Sequence, residues 1–392
     1  MLHQYIRKIF TSSNREKKSY SGIYLADELF MQGNNITAEE YSNNVIVHRC
    51  VNIISQAASH IPWVIFEKRG NSKLFKLADH PIYSLLRRPN RKQAGADFFS
   101  ELVATKLLYG NAYIYGVGER EPNNLFLLHP RNMDVIQENG SITNYIYKAH
   151  AKEIKFPVNQ KNGICKILHI KNYNPLGGSK GIAAIQASAK AIELHNNTSN
   201  WNNNLLKNGA RPTGALVMKD ANNYLTDEQF ERLQEQLSHK FSGYDNSGKP
   251  LLLEGGLDWR EIGVSPKDMD FIESKNSAAR EIALAFGLPP QLLGISGDNT
   301  YSNMQEARIG LWEETIIPLL DKIADNLSNW LSIWLEKEII IDFDRESISA
   351  LSEKRYSLIE KISNASFMTI NEKRAILGLS PIKEGDEIAG VR

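Results

Sequence analysis

Cysteine is scarce: Cys50 and Cys165 are the only two in 392 residues, with no C-x-x-C spacing between them. That excludes a disulfide framework and a zinc site, and leaves two buried free thiols as the expectation. Long apolar runs are missing too. None approaches the roughly 18 residues that a membrane-spanning helix requires, so no membrane partner is expected. Residues 1–18 lack the apolar centre of a signal peptide and read as a loose arm, so the chain is expected to stay in a reducing cytoplasm unless packaged into a particle. An excess of either charge is absent as well: 46 Lys and Arg stand against 45 Asp and Glu. A repressor-like grip on a polyanion needs a basic field that this balance does not supply.

The patterns of catalysis are likewise wanting. The stretch Gly177-Gly178-Ser179-Lys180-Gly181 precedes a helical pattern, but a phosphate-binding loop needs G-x-x-x-x-G-K-[ST] and the spacing fails. It reads instead as a tight turn that lets backbone approach a helix start. The nine histidines form no H-x-x-x-H or H-E-x-x-H arrangement, and His48, His129 and His169 sit beside apolar residues, as core or capping histidines do. No G-x-S-x-G occurs, and carboxylates cluster on helices beside lysines and arginines. The expectation is a protein that is not an enzyme and carries no catalytic residue, metal or cofactor.

What is present is ordinary globular material, 42% hydrophobic and 23% charged, long enough to need several packed units. The first half reads as α+β. Val47, Val51, Ile54, Ala58 and Ile61 recur at helical spacing until Pro62, and Trp63 to Phe66 is a strand. His80-Pro81 opens a short helix closed by Pro89-Asn90, and residues 98–109 form another. Short strands at 112–117, 125–128, 133–136, 145–147 and 167–170 then suggest one meandering antiparallel sheet.

The middle changes character. Residues 182–207 carry Ile185, Ala189, Ile192 and Trp201 on a helical face, although Asn196 to Asn204 is poor in helix formers. A strand at 214–218 follows, then a capping box, Thr226 with Gln229, starts a helix. Gly255-Gly256 between two β-compatible arms signals a hairpin. Ser265-Pro266-Lys267-Asp268 starts a helix that ends before Gly287 and Pro289-Pro290. After a Gly/Asp/Asn-rich loop, residues 302–335 repeat apolar positions over roughly 50 Å at 1.5 Å per residue, with a kink expected at Pro318. The tail offers a strand at 339–343, a helix near 348–362, and a second capping box, Thr369 with Glu372, before Gly378.

Taken in order, His80-Pro81 with Pro89-Asn90, Gly110-Asn111-Ala112-Tyr113, His129-Pro130 and Asn208-Gly209-Ala210-Arg211-Pro212 resemble the portal protein family of tailed phages with HK97-type heads. So do Leu253-Glu254-Gly255-Gly256-Leu257, Phe286-Gly287-Leu288-Pro289-Pro290, Tyr301-Ser302-Asn303 and Thr369-Ile370-Asn371-Glu372, and the resemblance spans residues 45–386. It implies a ring, typically of twelve subunits, at one capsid vertex. The implied fold has an α+β wing, a helical stem, an α/β clip and a helical crown.

Carried onto this chain, the resemblance implies an arm at 1–42, wing at 43–181, stem helices at 182–209 and 265–288, and a clip at 210–264 between them. A tunnel loop would occupy 289–301, a long kinked helix and wing return strand 302–348, and the crown 349–392. Gly294, Ile295, Ser296, Gly297, Asp298, Asn299, Thr300 and Tyr301 would approach double-stranded DNA without reading its sequence. The channel wall would carry Lys267, Asp270, Glu273, Lys275, Arg280 and Glu281. Clip residues Glu228, Glu231, Arg232, Glu235, Asp258 and Arg260 would meet partners. Those partners are the terminase large subunit, which would hold the ATPase, and a head-tail adaptor; major capsid protein and scaffold would surround the wing. The competing classes are a non-portal minor head or adaptor protein and a nucleic-acid-processing enzyme.

Overall fold

Helix α1 (Val45–Ser59) begins at Asn44, whose side-chain oxygen accepts from the backbone N–H groups of Ile46 and Val47, and it buries Val47, Cys50, Val51 and Ile54. This is the side-chain capping that the first orphan donors of a helix require. The computed structural model describes residues 41–69, 73–119, 121–149, 152–207, 214–218, 226–240, 257–261, 271–295 and 301–387. The chain continues through β1 (Trp63–Arg69), β2 (Lys73–Lys76), α2 (Pro81–Arg87) and α3 (Gly95–Tyr109). Six strands follow: β3 (Asn111–Val117), β4 (Asn124–Leu128), β5 (Met133–Glu138), β6 (Ser141–Ala149), β7 (Lys152–Pro157) and β8 (Ile167–Lys171).

These strands do not form one meander. They divide into two three-stranded antiparallel sheets, ordered β4-β3-β8 and β5-β6-β7. The reason lies in β3, which is buried along its whole length. Its alternate side chains serve two cores: Ala112 and Ile114 face a large cluster shared with the helices, whereas Tyr113, Tyr115 and Val117 join Phe126, Tyr145, Tyr147 and Phe156 in a smaller one. A third sheet, β2-β1-β11, is completed from far along the chain, with Trp63 opposite Phe343 and Ile65 opposite Ile341 in β11 (Ile339–Phe343). The lysine-rich β2 and β7 escape a hydrophobic-pattern reading because both are edge strands, where charge protects against further pairing.

Between β8 and β11 lie α4 (Ala184–Ala187), α5 (Ala189–Lys207), β9 (Gly214–Met218), α6 (Asp227–Lys240), β10 (Leu257–Glu261) and α7 (Phe271–Phe286). Then come α8 (Tyr301–Gly310) and α9 (Ile317–Leu335), and beyond β11, α10 (Ser352–Asn364) and α11 (Ile370–Ile376). The glycine turn before α4 is as tight as the sequence suggests: a Cβ on Gly181 would lie 2.6 Å from Asn172 backbone and from the Gly110 carbonyl oxygen.

Several expectations need correction. The helix over 182–207 breaks at Ser188, not in its asparagine-rich part, because Ala191, Ile192, His195 and Thr198 form a buried stripe at helical spacing. Residues 302–335 are not one unbroken α-helix. Residues Leu311–Ile316 are a π-helical segment, and Pro318 sits in the first turn of α9, where its missing N–H costs little. Strand β10 pairs with β9 from Leu257↔Met218 to Glu261↔Gly214; the other arm of the expected Gly255-Gly256 hairpin lies outside the described residues. The helix expected near 348–362 begins at Ser352, after two short 3-10 turns. His48 is exposed rather than a core histidine, while His80 and His129 cap short helices.

Helix α9 is the beam of the large core. Leu320, Ile323, Leu327 and Leu331 are at most 1% exposed, and the indole N–H groups of Trp330 and Trp334 both donate to the Cys165 carbonyl, at 2.9 and 3.1 Å. Ser328 and Ser332 hydroxyls accept from the Ile341 and Ile339 amides, stitching β11 to the same helix. Cys50 and Cys165 are buried free thiols, and burial pushes Cys50 up to about 12, so it stays protonated and inert. Among the described residues no helix is long and apolar enough to cross a membrane.

Candidate functional site

Two helices and what lies between them define the region of interest. Helix α5 runs out to Lys207, the chain visits β9, α6 and β10, and α7 returns from Phe271. The helices pack against each other, and Trp201 near the end of α5 stacks on Phe271 at the start of α7, with ring centroids 4.2 Å apart and planes at 25°. The exit and the return of the intervening segment are therefore adjacent. An offset aromatic stack of this kind contributes roughly 0.5–1.5 kcal/mol beyond its buried area. The antiparallel β9–β10 pair closes the segment on itself.

The other end of the helix pair is fixed to the large core. Ala278, Ala279, Ile282, Ala283 and Phe286 bury one side of α7, and small residues there let α1 approach. Asn44 reaches from the start of α1 to α5: its amide nitrogen lies 3.3 Å from His195 Nδ1 and donates to Asn196 Oδ1 at 2.8 Å. Burial, with the nearby Lys275 ammonium, holds His195 below the usual imidazole range, so it acts as a neutral acceptor. After α7, Gly287 takes the left-handed conformation at φ 74°, and its carbonyl accepts from the Thr315 hydroxyl of the π-helical segment at 2.6 Å. The segment from Pro290 to Leu293 is a 3-10 turn closed by Gly294, left-handed at φ 79°.

The sequence-derived site residues fall as follows. Gly294 is exposed and Ile295 half-buried at the entrance to the loop. Ser296, Gly297, Asp298, Asn299 and Thr300 lie outside the described residues, and Tyr301 is the first residue of α8 rather than part of the loop. On α7, Glu273 and Glu281 are exposed, Lys275 and Arg280 half-buried, and Arg280 pairs with Glu273 at 3.2 Å. Lys267 and Asp270 lie outside the described residues. Glu228, Glu231, Arg232 and Glu235 are exposed on α6, whose capping box holds as expected, with the Thr226 amide donating to Gln229 and the Gln229 amide to Thr226. On β10, Asp258 is half-buried and Arg260 exposed.

Sequence reasoning missed Trp201 with Phe271, Asn44 with His195, and Thr315 with Gly287. The first pair left a signal, since aromatic residues flank both ends of an inserted segment. The other two depend on side chains brought together from distant parts of the chain.

This arrangement, two packed helices bracketing an inserted module and anchored in an α+β body, has known counterparts. Residues 45–378 match the family model described as phage portal protein. The chain is 52% identical over 390 residues to an uncharacterized protein of Rickettsia felis, covering 99% of this chain and all of that one. It is 24% identical over 368 residues to the portal protein of Enterobacteria phage HK97, covering 91% of this chain and 84% of the phage protein. Among solved structures, a chain from the neck of a native gene transfer agent particle, computed with C12 symmetry, superposes with a TM-score of 0.67. That chain is 35% identical, and the match covers 93% of this chain and all of that one. The protein belongs to the phage portal protein family and is a portal subunit with the mixed helix-and-sheet fold of that family.

Proposed function

We propose that this chain closes into a ring, twelve copies in the assembled particle, at one vertex of a capsid, and that double-stranded DNA enters and leaves along the ring axis. The observation that supports the reading is the Trp201–Phe271 stack, which brings the exit and return of the inserted segment together; on this proposal α5 and α7 form the stem and the segment between them is the projecting clip. The C12 symmetry of the similar neck structure sets the expected copy number. Exposed apolar side chains on the stem, Ile272 at 77% and Leu284 at 66%, suit coverage by neighbouring copies. Near-balanced charge suits passage of DNA, since each phosphate neutralised by the wall would add counterion-release affinity and slow sliding.

In this reading residues 43–181 with β11 form the wing, 210–264 the clip, 289–301 the tunnel loop and 349–392 the crown. The clip face with Glu231 and Glu235 meets the terminase large subunit during packaging and a head-tail adaptor afterwards. Capsid protein and scaffold meet the wing, and the ring nucleates the procapsid in the host cytoplasm before it becomes part of the virion. ATP hydrolysis resides in the terminase.

Electron microscopy of the purified full-length chain tests the ring: annular particles with an axial hole are expected. Material that never forms annular oligomers in any solution condition overturns the proposal. For the loop, deletion of residues 296–300 should preserve rings while impairing packaging or retention of DNA, and normally filled heads would refute that assignment.

A further inference from the structure

The glycine-rich turn before α4 is a sequence motif that the portal reading leaves without a role, and the fold makes it a rigid prominence. Tyr173 is 82% and Leu176 89% exposed, more than any other large apolar side chain among the described residues. Their backbone is fixed. The Asn174 side chain accepts from the Leu176 amide at 3.0 Å and donates to the Lys180 carbonyl at 2.9 Å, and Gly177 and Gly178 take φ of 78° and 97°, which glycine adopts at little cost. At the base, the Asn172 amide donates to the Gly110 carbonyl at 2.8 Å, and the Asn111 side chain bonds both the amide and the carbonyl of Gly181. The prominence is thus mounted on the C-terminal end of α3. None of these bonds uses the side chain of Tyr173 or Leu176.

The opposite end of the same helix carries a cavity. An open space of about 510 Å³ lies where α1 ends and α3 begins, walled by Ile61, Trp63, Leu86, Ala96 and Phe99, with the Trp63 and Phe99 ring centroids 4.8 Å apart. The hydroxyls on its wall are already committed: Tyr83 accepts from the Ile65 amide at 3.0 Å and donates to the Leu77 carbonyl at 2.9 Å, and Ser59 donates to the Gln56 carbonyl at 2.9 Å. Arg87 adds one guanidinium. Such a lining suits an apolar or aromatic side chain, with the arginine placed to meet a phenol ring. Helix α3, at 15 residues, separates prominence and cavity by roughly 22 Å, so the loop does not fill the cavity of its own subunit.

We propose that Tyr173 and Leu176 of one copy insert into the Trp63–Phe99 cavity of the next, a head-to-tail contact repeated around the ring. The proposal rests on the ring reading above. A cyclic ring of more than two copies needs two different surfaces of one chain to be complementary. Here one is convex and apolar, the other concave and apolar, and a single helix holds them at its two ends. Charge agrees with shape. Lys171 and Lys180 flank the loop, which holds no carboxylate, whereas Asp97 and Glu101 are exposed one turn apart on the part of α3 that carries Ala96 and Phe99. Lys180 also lies 3.9 Å from Asp134, Lys171 donates to the Ser179 carbonyl at 3.4 Å, and Glu101 accepts from Gln93 at 2.6 Å; these contacts leave the four charges at the surface, where they can steer association.

The test places one cysteine on each surface of the full-length chain, Leu176→Cys and Ala96→Cys; native Cys50 and Cys165 are buried and stay out of the reaction. After mild oxidation the doubly substituted chain should run on a non-reducing denaturing gel as a ladder of multimers rising toward twelve, cross-linked at least about tenfold more than either singly substituted chain. In parallel, Tyr173→Ser with Leu176→Ser should leave the circular dichroism unchanged and raise the concentration of half-assembly at least about tenfold, the equivalent of losing one buried large apolar side chain. Electron microscopy of the native chain reports rings independently, so failure of the ring and failure of this contact are distinguishable. Rings with cross-linking no greater than in the single-cysteine chains would overturn the contact, leave the ring standing and give the cavity to a different protein. An unchanged half-assembly concentration in the serine variant would overturn it as well, and absence of rings would overturn both readings.

Discussion

The junction between α7 and the following loop offers a sharp quantitative test, because one glycine is held there by both conformation and space. Gly287 has φ 74°, and a Cβ added to it would lie 2.7 Å from Thr315 Oγ1. In Gly287→Ala the left-handed conformation costs about 1 kcal/mol, and crowding against the π-helical segment adds roughly 1–3 kcal/mol. Thr315→Ala alone loses the hydroxyl bond to the Gly287 carbonyl, about 1 kcal/mol. Removing that hydroxyl also removes the atom that the new methyl would strike. In a Thr315→Ala background, Gly287→Ala should therefore cost only the conformational part, leaving a coupling energy of roughly 1–3 kcal/mol. Urea titrations of the four proteins at one fixed concentration, followed by tryptophan fluorescence, measure the cycle. Equal costs of Gly287→Ala in the two backgrounds would refute the idea that the π-helical segment braces the end of α7.

Lys106 is 6% exposed and donates to Asn172 Oδ1 at 2.5 Å, and burial pushes its ammonium down to about 8. The unfolded chain, with a lysine near 10.4, holds more protons between those values, so stability should climb by roughly 3 kcal/mol as pH rises through that window. Urea midpoints measured from pH 8 to 10.5 should show this rise in the native chain and not in Lys106→Met. Asn44→Ala removes a helix cap and strands His195 and Asn196, which predicts a loss of about 2–4 kcal/mol, detectable in the same titrations. Asn44→Asp, which keeps the cap but not the donor, should fall between the two.

Local chemistry determined much of this protein from sequence alone. The capping boxes at Thr226–Gln229 and Thr369–Glu372 start helices where they stand, because their bonds close within four residues and need nothing from the rest of the chain. Glycine at 287 and 378 ends helices for the same reason. Tertiary structure decided the rest. Asn196 to Asn204 is helical only because one face of α5 is buried against α7, which outweighs the weak intrinsic preference of asparagine. The division of the strands into separate sheets follows from how two cores share β3. Above all, β1 finds β11 across most of the chain, since strand pairing satisfies backbone groups without regard to sequence distance and only the completed core selects the partner.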